Sequence, residues 1–152
     1  MTTIHLTTYI NAPIQTVFDL ARDITEHENS SKNTREKAIA GRTSGKINLG
    51  ETVTWRAKHF GLYLKHTSII SEMESPTFFV DEMVKGVFKS LRHEHIFNEK
   101  NQQTEMIDVF NYEVPYGVLG QLFNYFILKS YLTTFLLERN AHIKHRAESL
   151  RT

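Results

Sequence analysis

The chain has 152 residues, enough for one domain of ordinary size with a single sizeable core. Eighteen basic residues oppose 17 acidic ones, for a formal net charge of +1, so no basic stripe for nucleic acid and no polybasic membrane anchor is expected. Cysteine is absent, which excludes disulfides, thiolate metal sites and cysteine nucleophiles. There are eight histidines, so charge will depend on pH if several titrate near neutrality.

In chain order, "TIHLTTYI" at 3–10 alternates and is rich in Ile, Thr and Tyr, which predicts a strand. The start "MTTIHLTTYI" lacks the basic flank and long apolar core of a signal peptide, so the reading is a cytoplasmic protein. In "NAPIQTVFDLARDI", Pro13 suits a helix start, and Ile14, Val17, Phe18 and Ala21 make one apolar stripe. Thr25 and Glu28 have capping-box spacing for a second short helix, and "ENSSKNTRE" reads as a loop. "GRTSGKI" superficially resembles a phosphate loop, but three residues separate its glycines and Ile47 stands where Ser or Thr should bind magnesium. It reads instead as turns between strands.

Five more strand-like runs follow: "ETVTWRAKHF", "LYLKHTSII", "TFFVDEMV", "KSLRHEHIFN" and "QTEMIDVFNYEV". Short turn signals such as Phe60-Gly61 and Lys100-Asn101 separate them. A long helix over about 118–147 follows, carrying Leu119, Leu122, Phe123, Phe126, Ile127, Phe135 and Leu136. Polar residues interrupt the apolar run from Val118 to Leu137, so no integral membrane span is expected. The predicted fold class is α+β, a curved antiparallel sheet of about seven strands around a long C-terminal helix, with two short helices after strand 1. A single domain over 1–152 is expected. Such a sheet often leaves a cavity under the helix.

Four segments carry a family resemblance: "INAPIQTVFDLARDI" at 10–24, "GRTSGKINLGETVTW" at 41–55, "DEMVKGVFKSLRHEHIF" at 81–97 and "DVFNYEVPYGVLGQL" at 108–122. With the element order, they resemble the START-like, birch-pollen-allergen-like superfamily, whose fold is the helix grip. Within it the chain is similar to the bacterial polyketide cyclase/dehydrase-type branch of small ligand-binding proteins. The resemblance implies a hydrophobic cavity under the long helix. It implies no single chemistry, because members include carriers, receptors and enzymes.

The strand registers then select candidate residues. A turn at Lys100-Asn101 would place His93 opposite Asp108, His95 opposite Met106 and Leu91 opposite Phe110, with Phe97 on the same inner face. A turn at Phe60-Gly61 would place Trp55 opposite His66 and Ala57 opposite Leu64, with His59 at the strand end. An apolar surface with a few polar groups is the usual make-up of a small-molecule pocket. From the helix, Phe123 and Phe126 are expected to pack toward the sheet and complete the ligand wall. Alternation puts either Asp81 or Glu82 inward, without saying which.

His93, His95 and Asp108 allow three readings. They hydrogen-bond within the wall or to a ligand's polar head, which is favoured because a buried imidazole must find partners whatever its role. They act as a catalytic acid and base. Or His-x-His holds a metal, with Asp108 or His66 completing the set. The spacing provides no third ligand and the resemblance brings no metal, so no metal and no cofactor is expected. The favoured function is binding of a hydrophobic small molecule such as a lipid or polyketide-like compound, with its transport as an extension of that reading. A cyclase, dehydratase or hydrolase using the same residues is the alternative, and a protein-interaction module a third. Tyr125, Leu128, Leu132 and Leu137 need cover on a second helix face, so a homodimer or membrane-surface contact is open. The end "ERNAHIKHRAESLRT" reads as solvated helix.

Overall fold

The structure is a computed structural model that describes residues 1–151. Strand β1 (Thr2–Ile10) leads through α1 (Ile14–Ala21) and α2 (Ile24–Ser30) to β2 (Lys37–Gly41). Five strands in hairpin order follow: β3 (Thr52–His59), β4 (Leu62–Glu74), β5 (Phe78–Lys85), β6 (Ser90–Lys100) and β7 (Gln103–Glu113). Helix α3 (Gly117–Phe123) runs through a π-helical turn (Asn124–Leu128) into α4 (Lys129–Ser149). The seven strands form one antiparallel sheet ordered β1-β7-β6-β5-β4-β3-β2. This is the predicted helix-grip architecture. Sheet curvature comes partly from bulges in the β2–β3 and β4–β5 pairs, which bend the bulged strand. No described helix is long and apolar enough to cross a membrane.

Local chemistry explains the elements, with corrections. Phe60 and Gly61 both have positive φ, as a two-residue type I′ hairpin turn requires, and the β3–β4 register is the expected one. The β6–β7 turn lies one residue later than expected, at Asn101-Gln102, where both φ are positive. Lys100 therefore stays in the strand opposite Gln103, His95 lies opposite Asp108, and His93 lies opposite Phe110. Each inner-face residue keeps its face because the partner moves by two, the period of a strand. Thr25 is not the cap of α2. Asp23 is, its carboxylate accepting from the Thr25 and Glu26 amides at 2.8 and 3.1 Å. Glu28 instead accepts from the Ala38 amide at 2.8 Å and ties α2 to β2. The predicted loop "ENSSKNTRE" holds the end of α2 and a 3-10 turn at Lys32–Thr34. The "GRTSGKI" stretch leads into no helix, and Arg42 pairs with Glu51 across it.

The first half of the long helix turns a different face to the sheet than its hydrophobic pattern predicts, whereas Leu136 is buried and Phe135 lines the cavity, as that pattern expects. Leu119, Leu122, Phe123, Phe126 and Ile127 are exposed. Gly120, Asn124, Leu128, Leu136, Asn140, Ile143 and Ala147 point inward. From 120 to 140 the inward positions recur every four residues, which overshoots a 3.6-residue turn, and the wider π turn takes up part of the drift. Asn124 sets this facing: Tyr112 donates its hydroxyl to Asn124 Oδ1 at 2.6 Å, and Asn124 Nδ2 donates to Thr2 Oγ1 at 2.9 Å. The supposedly solvated end docks against β1, α1 and α2, burying Arg139, Asn140, Ile143 and Ala147.

Two apolar clusters result. One joins α1 and α2 to Phe79, Phe97, Met106 and the end of α4. The other joins Leu91, Phe110 and Tyr112 to Leu128 and Leu136. Along β6 and β7, the residues lying between the two clusters are His93, His95 and Asp108.

Candidate functional site

Those three residues belong to a buried polar belt. Asp108 has no solvent exposure. Its Oδ1 lies 2.7 Å from His93 Nε2, 3.4 Å from His95 Nδ1 and 3.5 Å from the Arg139 guanidinium. Asn140 Nδ2 donates to its Oδ2 at 2.6 Å. Asp81, from β5, points inward and answers the question left by alternation: its Oδ2 is 2.8 Å from His95 Nε2 and 3.8 Å from His93 Nδ1. Arg139 also donates to Asn140 Oδ1 at 3.0 Å and to the Ala21 carbonyl at 3.2 Å, which anchors α4 to α1. The two imidazoles lie 3.7 Å apart between Phe79, stacked on His95, and Phe110, edge-on to His93.

This arrangement sets the charges. Burial raises the Asp108 carboxyl pKa, but hydrogen bonds from His93 and His95 and the Arg139 charge outweigh it and hold the group well below the usual carboxylate range. Burial likewise raises Asp81, and the His95 hydrogen bond reverses the shift. Burial pushes His93 down, neighbouring His95 adds to this, and Asp108 opposes, leaving it at about 4. At neutral pH, His93 is therefore an uncharged imidazole beside an ionised carboxylate. His59 and His66 are lowered as well, chiefly by burial.

The belt lies at the floor of a cavity of about 190 Å³ between sheet and helix. Nine of the predicted residues line it: Trp55, Ala57, His59, Leu64, His66, Leu91, His93, His95 and Phe110. A second chamber of about 230 Å³ shares His59, Leu64, Val87, Phe88 and Leu132 with it and lies under α3. Phe123 lines only this second chamber. Phe97 and Met106 are packed in the core rather than on the wall, and Asp108 stands behind the two histidines. Phe126 is 71% exposed and on neither wall, because Asn124 and Leu128 occupy the inward positions on either side of it. His59 Nδ1 and the Tyr131 hydroxyl are 2.6 Å apart, linking β3 to α4 between the chambers.

Sequence reasoning missed Arg139, Asn140 and a second polar pair on the wall, His27 and Glu36, at 3.3 Å. Burial raises the Glu36 pKa, and the neighbouring His27, Ser31 and His59 together more than offset this. His27 also packs against Trp55, the ring centroids 4.4 Å apart and the planes tilted by 35°. An inward Arg-Asn pair in a charged helix end has no hydropathy signal. Its one trace is that Arg139, Asn140 and Ile143 share a face with Leu136.

No protein-family model matches the sequence, and no curated protein does either. Solved structures match along nearly the whole length. The KanY protein aligns at a TM-score of 0.76 and 14% identity over 97% of each chain. A START superfamily protein from Mycobacterium smegmatis aligns at 0.73 and 12% identity, covering 97% of this chain and 98% of that one. Major latex-like protein 151 from Panax ginseng aligns at 0.65 and 18% identity, covering 96% and 97%. The chain thus has the START-like, birch-pollen-allergen-like helix-grip fold, with a cavity between sheet and helix.

Proposed function

We propose that the chain binds, and carries, an apolar small molecule with one polar end, of the lipid or polyketide-like kind. The observation behind this is the cavity itself: a mainly apolar wall that ends in a hydrogen-bonding floor of His93, His95 and Asp81. Taken together, the two adjacent chambers fall within the range of ligand pockets, about 300–1,000 Å³. Burying apolar ligand surface supplies affinity at roughly 25 cal/mol per Å², before ordering costs. The floor supplies orientation. The fold's occurrence in a START superfamily protein agrees with this reading.

Native mass spectrometry of protein purified from its own host, followed by denaturing extraction, tests it. A retained apolar mass released on denaturation is expected. Ala57, a small residue on the wall, offers a control: Ala57→Phe fills the cavity and should reduce uptake by about tenfold or more, on the scale of a lost apolar contact. A bare polypeptide that also takes up nothing from a panel of fatty acids would overturn the proposal.

One observation favours a second reading, acid–base catalysis: each imidazole at the floor touches a carboxylate, His93 with Asp108 and His95 with Asp81. A carrier with His93→Gln or His95→Gln changes affinity or ligand choice. An enzyme with the same changes loses turnover by about 10²-fold or more.

A further inference from the structure

The floor of the cavity has a property that ligand orientation does not require. Asp81 Oδ2, His93 Nδ1 and His95 Nε2 turn toward one another. The carboxylate oxygen is 2.8 Å from His95 and 3.8 Å from His93, and one donor atom from each residue lies within 4.8 Å of the other two. Bonds of about 2.0–2.1 Å to one ion would hold such atoms about 3–3.5 Å apart, so small side-chain rotations suffice. The other nitrogen of each ring faces a single oxygen: Asp108 Oδ1 is 2.7 Å from His93 Nε2 and 3.4 Å from His95 Nδ1. A carboxylate behind each imidazole is what orients ligating histidines and selects their tautomer. Asp108 is itself held by Asn140 at 2.6 Å and Arg139 at 3.5 Å. Arg139 pairs with Asp108, and among the described residues no Lys or Arg pairs with Asp81, which leaves its carboxylate charge for a cation.

We infer that Asp81, His93 and His95 form a site for a divalent first-row transition cation of the zinc class, with Asp108 as its positioning carboxylate. Two nitrogens and one carboxylate oxygen select such an ion over calcium or magnesium, which take mainly oxygen ligands. All three ligands line the cavity, so the remaining coordination positions open into it, the arrangement of zinc sites that bind water or a ligand oxygen. The β-strand explains the geometry. His93 and His95 alternate onto one face of β6, and Asp81 lies directly opposite His93 on β5. The inference goes beyond apolar ligand binding and stands without it, because its test uses the metal alone.

Chelator-treated full-length protein is titrated with Co²⁺, followed by visible absorption, and then with Zn²⁺ by calorimetry. One equivalent of Co²⁺ with visible ligand-field bands, displaced by Zn²⁺, is expected. Asp81→Asn should weaken binding more than about 100-fold, and Asp108→Asn by about 10–100-fold. Because the belt is buried, the wild type provides a parallel readout in long-range imidazole ¹H–¹⁵N spectra. One equivalent of Zn²⁺ should shift His93 and His95 and leave the exposed His5 and His145 in place. No bound Co²⁺, binding unchanged in folded Asp81→Asn protein, or shifts confined to His5 and His145 would each overturn the inference.

Discussion

Asp108 is the residue on which the buried belt depends. It is fully buried, yet it is the only carboxylate within ion-pair distance of Arg139, itself 4% exposed, among the described residues. Asp108→Asn removes that counter-charge and sets an amide against the Asn140 donor. Urea unfolding should show a loss of about 3–5 kcal/mol, the cost of leaving one member of a buried ion pair alone. Arg139→Met should cost less, because Asp108 keeps His93 and Asn140. The double variant should then cost less than the two single losses together. A loss below about 1 kcal/mol for Asp108→Asn would mean that another group neutralises Arg139. His93 and His95 were legible as a pair because strand alternation alone puts them on one side. Asp81 was not, because both Phe79 and Val80 in its strand are buried, so alternation has no clear phase there. Arg139 was hidden for a different reason: a charged residue in a charged segment reads as solvent-facing unless its partner is known.

At the scale of elements, the long helix gives the clearest test. Leu136 is buried in the second apolar cluster, whereas Phe126 faces out. Leu136→Ala should cost about 2–5 kcal/mol in chemical denaturation, and Phe126→Ala no more than about 0.5 kcal/mol. Equal costs would contradict the helix rotation described above. Gly120 tests the start of the same helix. A Cβ there would overlap the Pro115 carbonyl oxygen, so Gly120→Ala should destabilise by about 1–3 kcal/mol despite its better helix propensity. Hydrophobic periodicity identified the helix but chose the wrong face for its first half, because the inward positions there are Gly120 and Asn124 while much of the apolar surface is left outside.

For the whole molecule, the buried titratable groups predict how stability follows pH. His93 ionises at about 4 in the fold against an ordinary 6.5. Between those values the unfolded chain binds a proton that the folded chain refuses, so stability falls as pH drops through this window. The loss is on the order of 3 kcal/mol. His59 and His66, also lowered by burial, act in the same direction. Asp81 and Asp108, held below the usual carboxylate range, add a further loss that begins as pH falls below about 4. Urea midpoints measured from neutral pH down to the mid-fours should therefore decline steadily, and His93→Gln should flatten the decline. A flat wild-type profile would mean that His93 takes up its proton in the fold as readily as in the unfolded chain.

The amino-acid order alone determined six of the seven strands, the β3–β4 register, the inner face of β6 and β7 and nine residues of the cavity wall. Period-two alternation and turn chemistry are local, so they survive without knowledge of the partner. The tertiary structure decided which side of the helix turns inward, that Asp81 rather than Glu82 faces the cavity, and that Arg139 and Asn140 close the belt behind the histidines. Those outcomes depend on pairing between groups far apart in the chain: Asp108 with Arg139, Tyr112 and Thr2 with Asn124, and Asp81 with His95. A buried polar group is stable only where its partner is, and the partner's position is a property of the fold.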